Sequence, residues 1–183
     1  PKKCVNATPI LLAELAVSPS KPTLLFYAHL DKQPYMDDDK FEKWGGIAPT
    51  ELTWNSDRTR AFGRGAADDL SGVISIGMAI DATLRAIESD KKNLFNDKFL
   101  ALPCNIKILY ETEEECGSHS LVEQILQNQE FFDDVNCVVI TDVINPDTGY
   151  PGLTTSLRGI TQLEVTVDAS PIATLDPQTA LYK

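Results

Sequence analysis

The sequence predicts an α/β fold built on a largely parallel central sheet. Three observations carry this. Three short apolar runs, Leu24-Leu25-Phe26-Tyr27-Ala28, Ile106-Lys107-Ile108-Leu109-Tyr110 and Cys137-Val138-Val139-Ile140, read as strands buried on both faces. Each run ends in an imidazole or carboxylates: His29 and Asp31, then Glu111 with Glu113-Glu114-Glu115, then Asp142. Open α/β sheets gather their active sites there, outside the carboxyl ends of the strands. Between the first two runs lies a helical stripe of Val73, Ile74, Ile76, Ile80, Leu84 and Ile87.

In chain order, residues 3–6 and 10–16 flank Pro9 and read as an edge strand, a turn and a second short strand. Ser18-Pro19-Ser20-Lys21-Pro22 is a loop before a strand over 23–29. Residues 32–49 form a long polar loop with Pro34, Asp37-Asp38-Asp39 and Trp44-Gly45-Gly46. A loop of that length in a compact domain is usually functional or mobile. Thr53–Asp57 reads as a strand entering a turn. Gly63-Arg64-Gly65 marks unusual backbone or close approach. With no third glycine at the right spacing and no Gly-Lys-Ser/Thr, it is a poor phosphate cradle.

Asp69 or Ser71 caps the helix that follows, which runs to about residue 88. Residues 89–98 are a polar surface connection. A strand over 104–110 leads into the glutamates and Gly117. Ser118 is expected to cap a helix (Leu121, Val122, Ile125, Leu126) reaching Gln129. A strand over 136–141 ends at Asp142, and Asn145-Pro146-Asp147-Thr148-Gly149 is a turn. Residues 160–167 alternate as a half-exposed strand, and 168–183 carry no clear signal.

The 183 residues suffice for one domain with a core. A formal charge of −11 argues against nucleic acid and anionic membrane as partners, and suits cations, metals included. Cys4, Cys104, Cys116 and Cys137 form no CxxC pair and read as reduced thiols, Cys104 and Cys137 beside or within buried strands. No uninterrupted apolar run reaches the roughly 18 residues of a membrane span. No signal-peptide pattern opens the chain, and a cytoplasmic location is expected. Residue 1 is Pro, so a fragment or a processed chain is expected.

His29, Asp31, Asp68, Glu113, Glu114, Glu115 and Asp142 put one imidazole among six carboxylates at the rim. Alone, His29 reads as a core histidine, Asp142 as the start of a turn and the glutamates as a solvated loop. Together they would repel one another, and divalent cations resolve that repulsion. One His with several carboxylates suits zinc, manganese or cobalt. Two metals about 3.5–4 Å apart need a bridging carboxylate plus terminal ligands. One carboxylate must stay off the metal as a base, and the neighbours Glu114 and Glu115 can divide these tasks.

His29-Leu-Asp31, Gly63-Arg64-Gly65-Ala-Ala-Asp68-Asp69, Glu114-Glu115-Cys-Gly117-Ser118 and Asp142 resemble, in order and spacing, the co-catalytic zinc metallopeptidases. That family includes carnosine dipeptidases, carboxypeptidase G, aminoacylase, acetylornithine deacetylase and succinyl-diaminopimelate desuccinylase. Leu157-Arg158-Gly159 and the run from His29 to Pro34 look closest to the carnosine dipeptidase-like branch. The resemblance covers roughly residues 10–167. It implies a three-layer α/β sandwich with a mixed, largely parallel central sheet, incomplete here and without the lid domain. Residues 1–167 are then a partial catalytic domain and 168–183 an unassigned tail.

The resemblance also implies roles. His29 and Asp142 are terminal ligands of one zinc, Glu115 is a ligand of the other, and Asp68 bridges both. Asp31 orients the histidine, Glu114 is the general base, and the peptide bond after Asp68 is cis. The substrates implied are small peptides or N-acyl amino acids, and the parent is a homodimer through the lid domain. The family's last zinc ligand, a distant downstream histidine, has no counterpart, since His119 reads as a surface helix residue. The family's usual lysine after the bridging aspartate is lost, Asp68-Asp69 being followed by Leu70-Ser71-Gly72. An inactive isolated chain that binds zinc weakly is therefore expected. A truncated or degenerate relative serving as a metal-binding or structural module is the competing expectation. A two-metal phosphohydrolase is weaker, for want of basic residues near the rim.

Overall fold

The computed structural model describes residues 8–34, 48–90, 97–161 and 163–167. The chain divides into two units, residues 1–144 and 145–183. In the first, four strands form one sheet: β1 (Leu11–Leu15), β2 (Thr23–His29), β5 (Asn105–Glu111) and β6 (Val135–Ile140). Their order is β1-β5-β2-β6, with β2 parallel to both neighbours and β1 antiparallel at the edge. The sheet is thus mixed and largely parallel, as the sequence predicts. A two-stranded ribbon, β3 (Thr53–Trp54) with β4 (Ala61–Phe62), stands apart from it.

Helix α1 (Leu70–Ser89) covers one face of the sheet. Successive side chains on a strand point to opposite faces, so Phe26, Ile106 and Ile108 share the α1 side. There Leu84, Leu102 and Ile106 form a buried cluster, packed by Leu15, Phe26, Ile80, Ile87 and Ile108. Fully burying a side chain such as that of Leu102 contributes about 1.5–3 kcal/mol. On the opposite face Lys107 is buried; its ammonium donates to the Phe131 carbonyl (2.6 Å), lies over the Phe131 ring and pairs with Asp134. Phe131 belongs to α3 (Gln129–Phe132), which follows α2 (Leu121–Gln127). Helices on both faces make the expected three layers.

The start of the sheet is tied by Asn105. Its Oδ1 accepts from the backbone of Val17 (2.7 Å) and Ser18 (2.9 Å), and its Nδ2 donates to the carbonyls of Ser18 (2.9 Å) and Lys21 (3.0 Å). One buried amide thereby fixes the loop into β2, and with it the depth at which His29 emerges.

Several expectations are corrected. Ser118 does not cap a helix; it has φ 50°, and the cap residue is Ser120. The reason is Gly117, whose left-handed φ of 98° ends the preceding turn, so the chain needs two more residues before a helix can start. His119 is exposed in that turn, not on a helix. The strand expected over 53–57 shortens to two residues, because the turn at Asn55–Arg60 begins at once. Strand β6 is not buried on both faces: Val138 and Ile140 are 53% and 55% exposed, and Cys137 is exposed with them. Among the described residues it is an edge strand that pairs only with β2.

In the second unit, Asp147 and Tyr150 form a bridged turn with Gly149 at φ 82°. Residues 160, 161 and 163–167 are irregular and exposed rather than a strand, since an alternating segment needs a paired neighbour to become one and has none among the described residues. Cys104, Cys116 and Cys137 are free thiols. The strand expected at 3–6, the acidic run 37–39, Trp44-Gly45-Gly46 and the tail 168–183 lie outside the described residues. Helix α1, 20 residues with mean hydropathy 1.4, is long and apolar enough to cross a membrane by length and composition alone. It nonetheless buries Ile76 and Leu84 and carries the ion pair Asp81–Arg85 (2.8 Å).

Candidate metal centre

Strand β2 delivers His29 as its last residue, fully buried. Its Nδ1 lies 3.1 Å from the Asp31 carbonyl. A carbonyl only accepts, so Nδ1 carries the hydrogen and Nε2 turns inward. Around Nε2 stand Asp68 Oδ1 (2.9 Å), Asp142 Oδ2 (3.6 Å) and Glu114 Oε2 (3.9 Å). Three segments distant in sequence therefore meet at one imidazole nitrogen.

Each partner is held locally. Asp31 Oδ1 lies 3.4 Å from His29 Nδ1, and its carboxylate accepts from the backbone N–H of Glu114 (3.2 Å) and Glu115 (2.9 Å). The glutamates sit on a 3-10 turn, Glu114–Cys116, just past β5. Glu113, 2% exposed, turns away from the centre and accepts from Ser120 N (3.0 Å) and Oγ (2.6 Å). Asp142 follows β6, whose end is pinned by Thr141 donating through N (3.1 Å) and Oγ1 (2.9 Å) to the Tyr27 carbonyl.

Asp68 immediately precedes α1, and its bond to Asp69 is cis, as expected. Asp69 caps α1 by accepting from Gly72 N (3.0 Å), while its other oxygen accepts from His29 N (3.2 Å). The approach to Asp68 is shaped by Gly65, at φ 81°. A Cβ there would fall 1.9 Å from Lys32 Cδ, so only glycine lets the Lys32 stem lie against this loop.

The donor set suits a divalent cation. One atom each from His29, Asp68 and Glu115 lie within 4.8 Å of one another, as do atoms of His29, Asp69 and Asp142. Nitrogen with several carboxylate oxygens matches zinc, cobalt or manganese. All the sequence-predicted site residues, His29, Asp31, Asp68, Glu114, Glu115 and Asp142, converge here. Sequence reasoning missed Asp69 as a member of the cluster, because it was assigned to capping alone. Glu111, which the sequence places with the carboxylates at the strand ends, is 1% exposed and accepts from the Tyr27 hydroxyl at 2.6 Å. The β2–β5 register sets Glu111 opposite His29.

The electrostatics follow from crowding. Burial pushes the Glu114 carboxyl up; His29 opposes this, and the charges of Asp142, Glu115 and Asp31 reinforce it. Burial raises Asp142 as well, with Asp69 the main added charge. Burial alone would lower His29, but the Asp31 carbonyl and the charges of Asp142, Glu114 and Asp31 outweigh it and raise the imidazole. In all three the native state binds more protons than the unfolded chain, so each shift makes stability fall as pH rises. The window opens at the ordinary carboxylate values of 3.8 and 4.5 and closes above the ordinary histidine value of 6.5. The depressed carboxyls of exposed Asp57 and Asp134 act oppositely, but only below their ordinary 3.8. Chelator-treated chain should therefore melt at a higher temperature at pH ~5 than at pH ~8. Equal or rising melting temperatures across that range would contradict the assignment.

Residues 25–183 match the sequence profile described as Peptidase family M20/M25/M40. The chain is 37% identical over 152 residues to the Beta-Ala-His dipeptidase of Mus musculus, covering 82% of this chain and 27% of that protein. It is 34% identical over 165 residues to the Cys-Gly metallodipeptidase dug1 of Schizosaccharomyces pombe, covering 90% and 31%. Among solved structures, human carnosine dipeptidase 1 superposes with TM-score 0.56 at 35% identity, over 74% of this chain and 26% of that one. The M20 family metallo-carboxypeptidase Sso-CP2 of Sulfolobus solfataricus gives 0.58 at 32% identity, over 75% and 27%. The chain thus spans about 27% of the length of the mouse relative.

Proposed function

The chain belongs to the peptidase family M20/M25/M40, and on that premise we propose that the protein carrying it is a metal-dependent hydrolase of amide bonds in dipeptides or N-acyl amino acids. The observation that supports this most is the split between two consecutive glutamates. Glu115 joins the cluster of His29 and Asp68, while Glu114 faces the same nitrogen from 3.9 Å with its carboxyl pushed up.

In this reading His29, Asp68 and Asp142 would hold one zinc, and Asp68 with Glu115 a second; cobalt or manganese would fit the same donors. Zinc supplies Lewis-acid polarisation of a carbonyl and a lowered pKa for water. Asp31 keeps the His29 hydrogen on Nδ1 and so keeps Nε2 available. Glu114 takes a proton from the attacking water onto its carboxylate and later delivers it to the leaving amine. A carboxylate held beside the metal site but not spent on it can accept the proton in the first half of that transfer and return it in the second.

The test is hydrolysis of β-Ala-His, Cys-Gly and N-acetyl amino acids by the purified protein that carries this chain. Turnover of at least one is expected, lost on chelation and restored by zinc. Hydrolysis indifferent to chelation, or none with any member of the panel after zinc is supplied, would overturn the reading.

A further inference from the structure

The segment Asp31–Gln33 leaves the end of β2 and reaches the turn after β5. Lys32 in its middle is seated: its stem lies against Gly65, and its ammonium donates to the Leu30 carbonyl at 2.7 Å. Gln33 then grips a single residue. Its backbone N–H donates to Glu115 Oε1 (3.1 Å), and its side-chain Nε2 donates to Glu115 Oε2 (2.7 Å) and to the Glu115 carbonyl (3.2 Å). Both partners of Nε2 are oxygens with no hydrogen to give, so the amide nitrogen, not its oxygen, must face Glu115.

Both oxygens of the Glu115 carboxylate are therefore held from outside the centre, by bonds to an ionised acceptor. An ionised carboxylate has about four lone-pair sites, so the clamp leaves others for a cation. Glu114 is treated differently. Asp31 accepts from the backbone of both glutamates, but the Glu114 side chain points to His29 Nε2 (3.9 Å) rather than to Gln33.

Resting on the metal-centre reading above, we infer that Gln33 is a positioning residue that assigns roles to the two glutamates. It fixes the orientation of Glu115 as a ligand and so leaves Glu114 as the base. Partners of this kind, one bond removed from a metal ligand, typically contribute 10–100-fold to metal affinity.

The experiment uses metal-stripped protein carrying this chain, with the wild type, Gln33→Leu and Gln33→Glu titrated with zinc against a chelating indicator. Cobalt(II) absorption and the melting temperature of the stripped protein are read in parallel. In Gln33→Leu one equivalent should bind about 10–100-fold more weakly, with the other unchanged, an altered cobalt band and an unchanged stripped melting temperature. Gln33→Glu, which sets a carboxylate against Glu115, should weaken that equivalent further. Unchanged affinities would overturn the inference. So would equal weakening of both equivalents with a fallen melting temperature, because Gln33 would then support the fold. A wild type that takes up no divalent cation would overturn the metal-centre reading and this inference with it, and that result is visible before any variant is made.

Discussion

Glu114→Gln should abolish turnover by the protein carrying this chain while leaving its metal content intact. The amide keeps the shape of the side chain and loses the site that takes a proton. General-base removal costs on the order of 10²–10⁴-fold in rate. Glu115→Gln should act through the opposite route and lose metal first. The two residues share one turn and the same backbone anchor, Asp31, so a local unfolding would affect both variants alike. Metal analysis beside steady-state kinetics separates the cases. Equal metal loss in both variants would overturn the division of labour.

His29→Ala should have the second-largest effect, since His29 is common to both donor clusters. Its Nε2 has one lone pair, so one equivalent of metal should lose its only nitrogen ligand. The second should weaken too, because Asp68, shared by both, loses its 2.9 Å partner. We expect at least ~100-fold weaker binding of the first equivalent, at or beyond the upper end of what supporting partners contribute. A zinc titration with two unchanged equivalents would remove His29 from the site.

Most of this architecture was legible because parallel strands covered by helices need continuous apolar runs. The run 23–29 became β2 residue for residue, and the helical stripe became α1 with Asp69 as its cap. The ligand-type residues were legible because they fall just past those runs. What failed was decided by neighbours rather than by local pattern. Residues 136–140 look as buried as 24–28, yet β6 lies at the edge and exposes Val138 and Ile140. Ser118 looks like a cap, yet Gly117 before it has already turned left-handed. Lys107 and Glu111 are charges within and at the end of an apolar strand; both are buried, Lys107 by pairing with Asp134 and Glu111 by accepting from the Tyr27 hydroxyl. Such pairings are invisible until strand order is known.

The strand order also dictates when the centre can exist during folding. Thr23 and Asn105, which open the parallel β2–β5 pair, are 82 positions apart, and Thr141 is 114 positions from Tyr27. Long loops must close before either contact gives anything back, and such pairings are intrinsically slow. The donors that meet at His29 arrive only after both closures. On this topology a cation held by these donors would enter a cradle that the sheet has already finished, and would lock the native state rather than start it.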